Sequence, residues 1–251
     1  MMEPLTDPAA AAALLTGWEQ PMVWSYLSGR MGKGYADHAA APRSVAVCVG
    51  DFTFLAGEEN VALAACLPLQ QRAFTIVVPR TPAWALCVET HCPRSKPVTR
   101  YAFAKHNSFD AARLRRFAAC LPQGYLLGRM EEADYYAARQ REWSRDLVSG
   151  YPDAAAYAAH GAGYAVWHGG ALVCGASSYA DWPGGIEIEI DCHPAHRRRG
   201  LARACAAALV LDCLARGLHP SWDAANAVSA HLAQTLGYTP ADSYTAYEIT
   251  K

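Results

Sequence analysis

Glu187-Ile188-Glu189-Ile190-Asp191-Cys192-His193-Pro194-Ala195-His196-Arg197-Arg198-Arg199-Gly200-Leu201-Ala202 reads as a strand, a sharp turn and the first turn of a helix. From one residue upstream the strand alternates strictly, with Ile186, Ile188 and Ile190 on one face and Glu187, Glu189 and Asp191 on the other. A period of two is a strand signal. Pro194 ends the ladder because it has no N–H to give. Beyond Gly200, apolar or small residues recur at 201, 204, 205, 208, 211 and 215, which is helical spacing. Gly217 stands where a C-terminal cap belongs.

The chemistry of this stretch lies in its turn. A helix start carries N–H groups without partners and a partial positive charge. Here Arg197, Arg198 and Arg199 precede it, and Gly200 and Ala202 keep bulk away from it. Glycine also lets the backbone approach a ligand closely, so the natural guest is a phosphate or pyrophosphate. The plain alternative is a solvated basic run in front of a helix. No Gly-x-Gly-x-x-Gly or Walker pattern supports a mononucleotide.

The whole chain narrows the choices. Its 251 residues allow one large domain or two small ones, and 52% are hydrophobic, enough for a core. A formal net charge of −1 argues against nucleic acid as a partner, and the local arginine run suits a small anion better. No uninterrupted apolar run reaches membrane-spanning length, since 201–215 is broken by Arg203 and Asp212. The start lacks a basic segment followed by an apolar one, so no signal peptide is expected. Nine cysteines, odd in number and without Cys-x-x-Cys, predict reduced thiols in a cytoplasm. The nine histidines lack ligand spacing, and no metal site is expected.

Read in order, the first half alternates helices and strands. Helices are expected from Asp7-Pro8 to Leu15, over 19–29, over 58–67 and from Thr81-Pro82, with a further one from Asp110 to about Cys120. Strands are expected at 44–49, 52–56, 74–78 and 98–104, with Gly50-Asp51 as a hairpin turn and 30–42 as a loop. Pro122-Gln123-Gly124 is the expected boundary, giving an N-terminal α/β domain over 1–122 and a second domain over 123–251. The second half reads as strand 125–129, helices 131–148 and 153–160, strands 163–167, 171–180 and 186–191, helix 200–216, strand 218–222, helix 227–236 and two short strands in 238–249.

Arg197-x-x-Gly200-x-Ala202 after a strand and a proline resembles the acetyl-CoA motif of the GNAT acetyltransferase superfamily. Trp222-Asp223-Ala224-Ala225-Asn226, Ser229, Leu232 and Leu236-Gly237-Tyr238 resemble that superfamily's next strand and helix. Together with Ile186–Ile190 they look like a narrower bacterial branch that includes acetyltransferases conferring resistance to zwittermicin A-type antibiotics. The specific match covers about 124–251, and weaker similarity extends upstream through Trp143-Ser144 and Gly50-Asp51-Phe52. The implied fold is α/β with an α+β mixed sheet: a GNAT fold in the C-terminal half, beside a small α/β domain. That domain is either a degenerate GNAT-like repeat or an unrelated substrate lobe.

The resemblance implies a set of roles. The cofactor is acetyl-CoA, held by Ile190, Asp191, Cys192, Arg197, Arg198, Arg199, Gly200, Leu201, Ala202 and Asn226. The strands ending near Cys192 and Trp222 splay, the pantetheine arm lies between them, and the backbone N–H of Cys192 points at the thioester oxygen. Asn226 serves equally well as a helix cap. From the residues themselves, Glu187 and Glu189 are the candidate bases for taking a proton from an ammonium of pKa near 10. Two carboxylates on one face of a central strand are costly to bury alone, so that face opens on a polar cleft, or they pair with arginines or point to solvent at a sheet edge. A bulge in this strand would change which of them faces the cleft. Trp222 and Asp223 are candidate substrate contacts, with Trp222 equally a core residue. Many members carry a tyrosine as general acid where this chain has Ala233; Tyr244 and Tyr247 are close in sequence but read as packing residues. The expected activity is direct acetyl transfer to a primary amine of a small molecule. A non-catalytic acyl-CoA-binding module and a protein N-acetyltransferase are the rivals.

Overall fold

The computed structural model describes residues 2–66 and 73–250. Among the described residues thirteen strands follow in chain order: β1 Glu3–Leu5, β2 Lys33–Ala36, β3 Ser44–Val49, β4 Phe52–Gly57, β5 Phe74–Pro79, β6 Ser95–Phe103, β7 Tyr125–Arg129, β8 Gly163–His168, β9 Ala171–Trp182, β10 Gly185–Cys192, β11 His219–Ser221, β12 Asp223–Ala224 and β13 Pro240–Thr250. The α-helices among the described residues are α1 Ala12–Leu15, α2 Pro21–Leu27, α3 Pro82–His91, α4 Ala111–Ala119, α5 Glu132–Arg139, α6 Ala154–His160, α7 Leu201–Ala215 and α8 Ala227–Leu236. Backbone contacts gather these into two compact units, Met1–Arg100 with Ser243–Lys251, and Tyr101–Asp242.

In the first unit β1, β2, β3 and β4 pair antiparallel in sequence, and β5 then joins β4 in parallel. The tail of β13 closes this order by pairing Tyr247–Thr250 with Phe74–Val77. Leu55, Leu63, Val77, Trp84, Val88 and Tyr247 are the heart of the core. Trp84 is anchored by its indole N–H on the Gly57 carbonyl at 2.9 Å. Side chains cap the helices as expected: Asp7 accepts from the Ala9 N–H at 2.9 Å and Thr81 from the Trp84 N–H at 3.2 Å.

In the second unit β7, β8, β9 and β10 pair antiparallel, and β11 joins β10 in parallel. β12 pairs with the end of β6, Asp223 opposite Ala102 and Ala224 opposite Tyr101. α7 carries the core, with Leu201, Cys205, Leu209, Val210 and Cys213 all buried among Val166, Val173, Ile186 and Ile188. Each such aliphatic side chain contributes about 1.5–3 kcal/mol by leaving water.

Several expectations change. The expected loop over 30–42 contains β2, whose Gly34 leaves room for the Tyr26 ring; a Cβ there would lie 2.0 Å from the Tyr26 hydroxyl oxygen. The helix expected over 58–67 is a π-type turn over Ala62–Cys66, started by Asn60, which accepts from the N–H groups of Ala62 and Leu63; its expected end at residue 67 lies outside the described residues. The helix expected over 131–148 stops at Arg139. There the buried Ser144 hydroxyl donates to the Ala138 carbonyl at 3.0 Å and turns the chain back. The two short strands expected in 238–249 are one strand, β13.

Candidate functional site

The site starts where two parallel strands part. β10 pairs with β11 only at Gly185, Ile186 and Glu187. After Ser221 the chain swings to pair β12 with β6. From Ile188 to Cys192 the ladder of β10 is therefore to β9 alone. On that side Cys192 faces Cys174, and the next N–H, that of His193, donates to the Val173 carbonyl at 2.8 Å. This makes Cys192 and Cys174 a non-hydrogen-bonded pair, so the N–H and C=O of Cys192 point away from β9 into the opening. By the same alternation those of Ile190 do too. The Cys192 carbonyl is taken by Arg197 Nε at 3.0 Å.

The turn after β10 ends in an uncapped helix. Pro194–His196 form a short 3-10 turn. Arg198 then has φ +59° and Gly200 φ +80°. Arg197 before them is extended and α7 after them is right-handed, so these two left-handed residues bend the chain sharply at the helix start. Gly200 is the N-cap of α7 and no side chain bonds its first N–H groups. Those groups are left for a ligand or water. A Cβ on Gly200 would meet only Arg203 Nη2, at 3.6 Å, so glycine is needed for its backbone angle and not for room.

Both features open on one cavity of about 870 Å³. Ile190, Asp191, Cys192, Arg197, Arg198, Gly200, Leu201, Ala202, Trp222 and Asn226 line it. Arg199, Asp223, Glu187 and Glu189 are not among the lining residues. Asn226 caps α8, its Oδ1 accepting from the Ser229 N–H at 3.0 Å, and also borders the cavity. Trp222 is 3% exposed and donates its indole N–H to Ser229 Oγ at 3.2 Å, so it is a core residue with one edge on the cavity.

The carboxylates differ in setting. Glu187 is 4% exposed and stands opposite Ser221, whose hydroxyl accepts from Lys105 Nζ at 3.0 Å. Glu189 is half-buried. A bulge is present, but Glu187 pairs with Ala180 and Ile188 with Ser178, so the extra residue is Tyr179 on β9. The alternation of β10 survives, and both glutamates keep one face. Asp191 is pushed up to about 6, first by burial and then by Asp146, with Arg197 and the Cys192 N–H opposing. The Cys192 thiol is pushed up by the neighbouring Cys174 sulfur and by burial, which leaves it protonated and a poor nucleophile.

Ala233 is fully buried and offers no acid. Tyr247 donates to Glu89 at 2.6 Å within the first unit. Sequence reading missed His196, His231 and Thr235, which line the cavity. For His231 and Thr235 the spacing 228, 231, 232, 235 along α8 is a helical stripe and was the available signal. Among the described residues no three His, Cys, Asp or Glu side chains converge as metal ligands would. No helix there is long and apolar enough to cross a membrane.

A profile of GNAT acetyltransferases matches residues 12–247. The chain belongs to the GNAT acetyltransferase family. A GCN5-related N-acetyltransferase-like protein from Streptococcus suis is similar to it over 97% of this chain and 98% of that one, with 38% identity and a TM-score of 0.91. A tandem GNAT protein from the clavulanic acid biosynthesis pathway shares the fold, with 11% identity and a TM-score of 0.60, over 100% of this chain and 98% of that one. The Bacillus subtilis protein YdfB, described as an uncharacterized N-acetyltransferase, is 30% identical over 129 residues. That match spans 51% of this GNAT chain and about half, 49%, of the curated relative. The neighbours that span the whole chain bear out a mixed α/β fold with GNAT-like sheets throughout.

Proposed function

We propose that this GNAT protein is an acetyl-CoA-dependent N-acetyltransferase that acetylates a primary amine of a small molecule directly, without an acyl-enzyme. One observation carries the reading: the uncapped start of α7 and the outward-facing N–H of Cys192 open on the same cavity. Acetyl-CoA has a diphosphate and an amide-rich arm ending in a thioester, and these residues fit both parts. Arg197, Arg198, Arg199 and the N–H groups of Gly200, Leu201 and Ala202 would hold the diphosphate. The edge of β10 that faces the opening, at Ile190 and Cys192, would take the arm, which there would displace the Asp191 carboxylate from the Cys192 N–H and Arg197 from the Cys192 carbonyl, with Asp191 and Asn226 bordering it. Bound acetyl-CoA supplies an activated acyl group.

The chain's own residues do the rest. The Cys192 N–H donates to the carbonyl oxygen as negative charge builds there, an effect worth about 3 kcal/mol for one such donor. Glu187 or Glu189 accepts the ammonium proton, directly or through water. Trp222 and Asp223 would border the acceptor. The raised Cys192 thiol favours direct transfer over attack by that sulfur. Residues 123–251 would carry the chemistry and 1–122 would shape the acceptor's approach. An amino-containing antibiotic or metabolite, as in the zwittermicin A resistance branch, is the proposed acceptor class. Eight described cysteines are free, which suits a cytoplasmic location.

Ala233 favours a second reading, an acyl-CoA-binding protein without turnover. A thiol-release assay over a panel of small amines and peptides separates the two. Release with a small amine supports the enzyme, release with peptides alone makes it a protein acetyltransferase, and binding without release leaves the regulatory module.

A further inference from the structure

At one end of the cavity lies an aromatic and imidazole cluster that acyl transfer does not use. His196 lines the cavity one residue before Arg197. The Tyr125 hydroxyl lies 3.0 Å from its Nδ1. The His168 ring rests against Tyr125 at 4.5 Å and against His196 at 5.4 Å between centroids. His193 meets His196 edge-on at 5.6 Å, and Trp143 backs His193 at 5.7 Å. Three imidazoles thus meet just before the arginine run 197–199, and Arg199 adds its charge at His196. Protonating any of them adds to an excess of like charge, and His196 is held below the usual histidine value by burial, then by His168, His193 and Arg199. Tyr125, from β7, occupies Nδ1 and leaves Nε2 as the ring nitrogen open to a ligand. Asp191 is the carboxylate on the same cavity.

We propose that His196 is a phosphate-binding residue of the coenzyme A site, its Nε2–H donating to a phosphate oxygen, and that its ring takes up a proton from solvent when the cofactor binds. The inference rests on the reading of the cavity as a coenzyme A site. A phosphate brings negative charge to the ring, and no carboxylate is among the groups shifting that ring, so it reverses the shift on His196. The sign follows from linkage: a group whose pKa rises on binding favours the complex at low pH. Affinity is greatest below the free value of His196 and falls as pH rises through the bound value.

Calorimetry with coenzyme A, from pH 5.5 to 8.5 in buffers of different ionisation enthalpy, reads both affinity and proton uptake. Wild-type protein is expected to take up protons and to bind about tenfold more weakly at the top of that range. His196→Gln is expected to take up fewer protons and to flatten the profile. The ligand phosphate and Asp191 titrate in both proteins, so the difference belongs to His196. Tyr125→Phe keeps the ring and is expected to retain uptake with a moved midpoint. Should His196→Gln not fold, the His196 ring resonances of wild-type protein, followed by NMR with and without coenzyme A, give the same answer through an upward shift. Unchanged uptake in the variant, or an unmoved resonance, overturns the inference and leaves the acetyltransferase reading intact. Wild-type protein with no affinity for coenzyme A overturns both.

Discussion

Arg198 is the one described residue other than glycine with a positive φ. An L-residue there costs about 1–2 kcal/mol, and such strain persists where the surroundings impose it. It sits two residues before Gly200, and the pair shapes the turn in front of α7. Because space around Gly200 is open, Gly200→Ala is expected to cost about 1 kcal/mol through its backbone alone. It should also raise the acetyl-CoA Kd severalfold, as titration calorimetry would read. At the carboxylates, Glu187→Gln and Glu189→Gln are to be assayed separately against pH. At least one is expected to lower kcat by about tenfold or more; two near-wild-type profiles would remove both from catalysis. Asp191 makes a stability prediction. Its folded value of about 6 lies above the ordinary aspartate value, so ionising it opposes folding. The penalty is absent below the unfolded value and complete above the folded one. Asp191→Asn should therefore stabilise the protein at pH 8 by about 1–2 kcal/mol, allowing for its partial exposure, and change little near pH 4. Urea melts at the two pH values test this. The residues of the turn were legible because proline, arginine and glycine in that order have few uses. His196 was not, because nothing in a sequence says which strands bring Tyr125 and His168 beside it.

Elements with strong ends were readable. Strand 125–129 and helix 227–236 were anticipated to the residue, the latter because Asn226 and Gly237 mark both ends. β2 was hidden by its glycine, which is there to admit Tyr26, a tertiary reason with no local trace. The bulge was suspected, but its place on β9 depends on pairing, which a single strand does not encode. α7 illustrates how pattern becomes stability. Leu209 is fully buried on it. Leu209→Ala is expected to cost about 2–5 kcal/mol by transfer and cavity terms, measured as a lowered denaturation midpoint with an unchanged slope.

Across the whole molecule the two units repeat one plan, four antiparallel strands followed by a parallel fifth. That shared order favours the degenerate-repeat reading over an unrelated lobe. The copies differ where chemistry would occur. In the first, β5 pairs with Phe52–Leu55, four of the six residues of β4. In the second, β11 holds three of the eight residues of β10. After β4 the chain reads Glu58-Glu59-Asn60 where the second copy has its arginines. The first copy thus has a closed edge and acidic side chains, and is expected to hold no coenzyme A. The C-terminal segment groups with the first unit through β13, a pairing too distant in sequence to read from periodicity.

The most direct measurement is the stoichiometry of acetyl-CoA binding by titration calorimetry, on wild-type protein and on Gly200→Val. One acetyl-CoA per chain is expected, with affinity reduced at least about tenfold by the valine, whose branched side chain resists the left-handed backbone. Two sites per chain, no binding, or an affinity indifferent to the valine would contradict that expectation.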